Sequence, residues 1–154
     1  MTVPKIDIAK AVVRTTTTYP EQFKSACVGR EKVALGNIAG LDQFGVNLTR
    51  LKPGAASALR HWHENEDELV YVLEGEATLI EDGAEVTLRA GEAAGFKAGV
   101  PNGHHLINKT ERDVLYLEIG TRCATERAHY PGIDMIAVKD ENGFHFTRLS
   151  GEPY

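Results

Sequence analysis

Two imidazoles one residue apart, His61 and His63, are the part of this 154-residue chain whose types and spacing most plainly could do chemistry. Successive side chains of extended backbone point to opposite faces, so two residues at this spacing share one face of a strand. They make half a metal site. A carboxylate at Glu68 follows them, and the segment Pro101-Asn102-Gly103-His104-His105-Leu106-Ile107-Asn108 offers further imidazoles. Imidazole nitrogen with carboxylate oxygen suits one divalent transition metal, Mn, Fe, Ni or Zn, and donor type alone does not choose among them.

Elements that would position these donors are readable from Phe44 onward. Short apolar runs separated by glycine-bearing turns cover Phe44 to Leu51, Ala58 to His63, Leu69 to Leu73, Ala77 to Glu81, Ala84 to Leu88, His104 to Asn108 and Val114 to Ile119. That pattern predicts an all-β sandwich or barrel. Asp82-Gly83 and Asn142-Gly143 are dipeptides that accept the positive φ of two-residue hairpins, and Pro53-Gly54 closes the strand before the histidines. Glu68 lies an odd number of positions from His63, so the polar stretch Glu64-Asn65-Glu66-Asp67 must bend to bring it to the same side; a different bend would present Glu66 or Asp67 instead. Leu69 to Leu73 reads as core. In Val114 to Ile119 the apolar set Leu115, Leu117 and Ile119 is expected to face inward, turning Tyr116 and Glu118 away from the metal.

The first 43 residues are less regular. Tyr19 to Lys24 could open a helical turn, Thr15 to Thr18 favour extended backbone, and Gly36 to Gly40 reads as a loop. This arm (1–43) and the tail (121–154) are expected to be accessory segments on a core of about 44–120, all within one domain spanning 1–154. Such a chain, 42% hydrophobic, can bury a core without disulfide staples. Cys27 and Cys123 are far apart and are expected to be reduced. Seventeen basic against 22 acidic residues, a net charge of −5, build no basic face for nucleic acid. No signal-like or membrane-spanning apolar run is present, so a cytoplasmic protein with no membrane partner is expected.

The residues around the histidines resemble the cupin superfamily. Its first motif orders glycine, histidine, histidine, glutamate and glycine; Gly54, His61, His63, Glu68 and Gly75 follow that order, with one extra residue between Gly54 and His61. For the second motif, Gly95 and Pro101-Asn102-Gly103 match the first half, after which the histidine position falls on Leu106; anchored on its second half, His104 and Asn108 have the family spacing. His104 is therefore chosen over His105, although strand alternation leaves both faces open.

The resemblance implies a double-stranded β-helix, the cupin jelly-roll barrel, in which His61, His63, Glu68 and His104 bind one divalent metal and leave coordination positions open to a substrate. It also implies a homodimer and a small-molecule ligand. The leading expectation is a metal-dependent enzyme of dioxygenase, isomerase or lyase type acting on a small polar molecule; the alternative is a non-catalytic binding or sensor cupin. Arg50, Arg60, Tyr71, Tyr116 and Glu118 are the side chains that could assist chemistry beyond the metal, and none is placed in the pocket by sequence. His105, His129 and His145 read as ordinary strand residues.

Overall fold

The computed structural model describes residues 4–154. The strands are β1 (Arg30–Ala34), β2 (Phe44–Leu51), β3 (Trp62–His63), β4 (Glu68–Glu74), β5 (Glu76–Glu81), β6 (Ala84–Arg89), β7 (Ala93–Phe96), β8 (His105–Ile107), β9 (Val114–Thr121), β10 (Glu126–His129), β11 (Ile136–Asp140) and β12 (Gly143–Thr147). A single short helix, α1 (Leu35–Ile38), and 3-10 turns at Ile8–Lys10 and Glu21–Cys27 are the helical elements among the described residues. No helix is long and apolar enough to cross a membrane.

The strands assemble into a five-stranded sheet in the order β1-β2-β9-β4-β7, a four-stranded sheet β12-β11-β10-β3 and a three-stranded sheet β6-β5-β8. Every pairing is antiparallel. Isolated bridges Ala56↔Ile107 and His61↔His104 join the last two sheets and roll the structure into a jelly-roll barrel. Asp82-Gly83 turns β5 into β6 with Gly83 at φ 85°, and Asn142-Gly143 turns β11 into β12. Gly75, between β4 and β5, is at φ 79°, and a Cβ there would lie 2.6 Å from the Asp113 carbonyl oxygen. Only glycine lets β4 hand over to β5 this close to the start of β9.

Register sets what faces inward. In the five-stranded sheet the rows are Arg30–Leu51–Val114, Lys32–Thr49–Tyr116–Val72 and Ala34–Asn47–Glu118–Val70. Members of these rows point into the barrel, where Leu51, Val70, Val72, Leu79, Val114 and Tyr116 form much of the core. A second core, including Tyr19, Cys27, Tyr130 and Met135, lies where the arm meets the tail.

Several expectations change. Leu69 to Leu73 is not a continuous core run: Val70 and Val72 are buried, while Leu69, Tyr71 and Leu73 are 42%, 40% and 39% exposed. The inward set of β9 is Val114, Tyr116 and Glu118, the reverse of the expected one, because the barrel interior is partly a polar cavity. Ala58 to His63 pairs only at its end, since Ser57 to Arg60 bend. Gly36 to Gly40 begins inside α1 rather than in a loop, and Thr15 to Thr18 form no ladder beyond the neighbouring Arg14↔Lys32 bridge. The tail does more than cover the barrel: β10 pairs directly with β3, fixing the strand that carries His63.

Candidate metal centre

His61 sits on the bridge to His104, and His63 ends β3. Glu64 to Asp67 then bend, as their polarity and the odd spacing require, so that Glu68 opens β4 on the side of the histidines. The bend is held by carboxylates capping backbone N–H groups. Glu126 accepts from Glu64 and Asn65, Glu66 accepts from Cys123, and Asp67 accepts from Ala98. Asp67 is thereby committed to the loop; Glu66, with Glu126, also has a ligand atom within 4.8 Å of His63, while Glu68 faces both His63 and His104.

The Glu68 Oε2 atom lies 3.1 Å from His104 Nε2 and 3.4 Å from His63 Nε2. The His61 ring stands 4.9 Å from that of His63 and 5.0 Å from that of His104, centroid to centroid. One ligand atom from each of His61, Glu68 and His104 lies within 4.8 Å of the others. Phe96 stacks on His104 with centroids 3.6 Å apart and rings 1° from parallel, which leaves that imidazole little rotation. His105 is turned elsewhere, its Nδ1 donating to the Ala58 carbonyl at 2.8 Å.

Proton positions fit a metal-binding role. His61 Nδ1 donates to the Leu59 carbonyl at 2.7 Å, so its Nε2 keeps a lone pair for the cluster. Burial, only partly offset by the Glu68 charge, lowers His61 to about 4, so the ring is neutral at pH 7. Burial also pulls on His63, but its bond to Glu68 and the Glu68, Glu126 and Glu66 charges outweigh that and raise it. Glu68, pushed up by burial, is pulled further down by hydrogen bonds from His104 and His63, and its carboxyl falls well below the usual range. The result is a carboxylate held between the imidazoles of His104 and His63, whose Nε2 protons a cation would displace. Three nitrogens and one carboxylate oxygen match the donors of Mn, Fe, Ni or Zn sites.

The cluster lies on one wall of a cavity of about 290 Å³. The same cavity is lined by Tyr116 and Glu118 from β9, by Arg30 and Lys32 from β1, and by the arm from Arg14 to Tyr19. Lys32 Nζ donates to both Glu118 oxygens, at 2.8 and 3.1 Å, and Asn47 Nδ2 adds 3.2 Å to Oε1. Arg30 ties the arm to the barrel through the carbonyls of Ser57 at 2.6 Å and Thr16 at 3.4 Å. The Tyr116 hydroxyl is buried beside the Thr49 hydroxyl, and burial, with the Glu118 and Glu68 charges, holds it well above its ordinary value.

The Cupin domain family matches residues 47–120. A sugar phosphate isomerase of the cupin superfamily from Silicibacter pomeroyi is 44% identical, with a TM-score of 0.93 over 98% of this chain and 96% of that one. This chain is a member of the cupin superfamily. A second solved cupin-like structure, a proposed sugar phosphate isomerase from Acidithiobacillus ferrooxidans, is 23% identical with a TM-score of 0.81, covering 100% of this chain and 94% of that one, and supports the fold. An oxalate-binding protein from Thermotoga maritima is 26% identical over 113 residues, 70% of this chain and 91% of the relative.

Of the other side chains weighed from sequence, Arg50 pairs with Asp113, Arg60 pairs with Asp82, and Tyr71 points outward; none lines the cavity of this cupin. Tyr116 and Glu118 do. Arg30 and Lys32 were missed. Lys32 meets Glu118 across 86 positions of sequence, and the period-two pair Arg30 and Lys32 was the one local sign of a strand face there.

Proposed function

We propose that this cupin is a metal-dependent isomerase of a small phosphorylated sugar, with His61, His63, Glu68 and His104 holding its one divalent ion. The observation that carries the reading is a single cavity that joins three imidazoles and a carboxylate on one wall to Arg30 and Lys32 on β1 and an exposed Arg14 on the arm. The 44% identical sugar phosphate isomerase supports the same class. When bound, the ion would polarise a substrate carbonyl and acidify the adjacent C–H. Phe96 fixes His104 and Glu68 orients His63, so the donors need little reorganisation. Arg14 would meet an anionic end of the substrate at the open side of the cavity, where guanidinium recognises phosphate oxygens.

The test is proton NMR of aldose phosphates incubated with metal-reconstituted protein, alongside metal content by mass spectrometry on the wild type and His104→Ala. Ketose formation that stops on chelation and returns with one metal supports the reading. The oxalate-binding relative favours a second reading, a cupin that binds a small dicarboxylate without turning it over. Calorimetric binding of oxalate with no turnover of any aldose phosphate would favour that alternative. We also propose a homodimer, formed through the outward apolar face of the five-stranded sheet, and a cytoplasmic location.

A further inference from the structure

Only two carboxylates line the cavity, Glu68 and Glu118. Glu68 is engaged by His63 and His104, so an aldose–ketose isomerisation, which moves a proton between adjacent carbons, needs a second proton carrier. We propose that Glu118 is that carrier and that the Tyr116 phenol positions the substrate oxygen beside it. This assignment rests on the isomerase reading.

The geometry favours Glu118 on three counts. Its side chain is 20% exposed, in the same cavity as the imidazole cluster and on the strand that pairs with the one carrying Glu68. Lys32 and Asn47 hydrogen-bond the carboxylate without exhausting its lone pairs: Oε1 accepts from both, Oε2 only from Lys32, so Oε2 retains capacity for a proton. Tyr116, on the adjacent inward row of β9, is fully buried, and its phenol O–H has the Thr49 hydroxyl as its one neighbouring acceptor. A substrate oxygen would give this buried phenol a stronger acceptor than the Thr49 hydroxyl alone.

The step balances without a co-reactant. Glu118 Oε2 takes the hydrogen on C2 of the aldose as a proton; the C–H electron pair becomes the C1–C2 double bond, and the carbonyl pair moves to O1, leaving an enediolate. A proton passes from O2 to O1, O2 re-forms a carbonyl with C2, and the electron pair of the double bond takes the proton from Glu118 onto C1. The Tyr116 O–H donates to the oxygen that carries the charge and stays protonated throughout.

The test uses the metal-loaded full chain with ribose 5-phosphate, glucose 6-phosphate, mannose 6-phosphate and glyceraldehyde 3-phosphate as probes, in D2O, followed by proton NMR. The wild type should form ketose from at least one probe. Glu118→Gln should lower kcat about 10³-fold with KM within a few-fold, with metal content and melting temperature unchanged. It should also lose the acid limb of the pH profile, and Glu118→Asp should restore part of the rate. Tyr116→Phe should act mainly on KM. Glu118→Gln turning over at the wild-type rate overturns the assignment while leaving the isomerase reading intact. A slow Glu118→Gln that has lost its metal or its fold overturns it too, by making Glu118 structural; Lys32→Met, which frees the carboxylate but leaves it in place, must then match that defect. A wild type that turns over none of the probes overturns the isomerase reading and this assignment with it.

Discussion

The two faces of the sheet β1-β2-β9-β4-β7 follow opposite rules. Its outer face carries the rows Val46–Ile119–Leu69 and Leu48–Leu117–Tyr71, apolar yet partly exposed. Its inner face carries Lys32–Thr49–Tyr116 and Asn47–Glu118, polar yet buried or half-buried. Alternation normally turns the apolar set of an antiparallel strand inward. Here the inner face lines a cavity as well as a core, so Lys32, Asn47 and Glu118 pair with one another beside buried Val70 and Val72, and a second apolar set is left outside.

The largest effect expected from breaking the inner face is loss of metal. His61→Ala or Glu68→Gln in the reconstituted protein should bind well under a tenth of the metal that the wild type holds, measured by mass spectrometry; full retention in both would remove the four-residue site.

Acidification comes next. In metal-free protein, His61 is held at about 4 against an ordinary 6.5, so unfolding takes up a proton between those values and stability falls as pH drops through that window. Glu68, held below its ordinary value, adds loss in the same direction at lower pH. His63, being raised, works the other way: its contribution is present below 6.5 and is lost as pH rises through its folded value. The His61 share is of order 3 kcal/mol before that offset. Melting temperature between pH 7 and 4.5 should therefore fall more steeply for the wild type than for His61→Asn, and parallel curves would refute the attribution.

A smaller effect separates function from stability within the inner face. Tyr116→Phe removes a hydroxyl whose one neighbouring partner is the Thr49 hydroxyl, so its thermal melt should stay within about 1 kcal/mol of the wild type. KM for the turned-over aldose phosphate should rise about tenfold. A large drop in stability would mean that the phenol is a structural bond.

On the outer face, Leu69→Lys with Tyr71→Lys should change stability by no more than about 0.5 kcal/mol per exposed site. Light scattering after size exclusion should show a dimeric wild type, as proposed, and a monomeric variant. A dimer that survives both charges would move the interface away from this face.

Much of the site was legible because its signals are local. The one-residue spacing of His61 and His63 needs only strand geometry, and the odd offset of Glu68 demanded a bend, which Glu64 to Asp67 supply. The hairpins at Asp82-Gly83 and Asn142-Gly143 were readable for the same reason: two residues set the turn. The short strand β7 and the arm strand β1 were not, since alanine, glycine and charged residues carry little β signal and pairing with β4 and β2 decides them.

The sequence by itself determined the barrel class, the metal-type donor set and the turns that space it, because each depends on residue type and near neighbours. Tertiary structure decided what needs distant partners. The His61↔His104 bridge sets His104 beside His61 and Glu68 while His105 bonds the Ala58 carbonyl, and pairing across β2, β9 and β4 chose the polar side of β9 as the inner one. Lys32 beside Glu118, and β10 behind His63, exist only once strands far apart in sequence share a sheet. Side-chain alternation has two equally good phases along an isolated strand, and only the neighbours against which it packs select one.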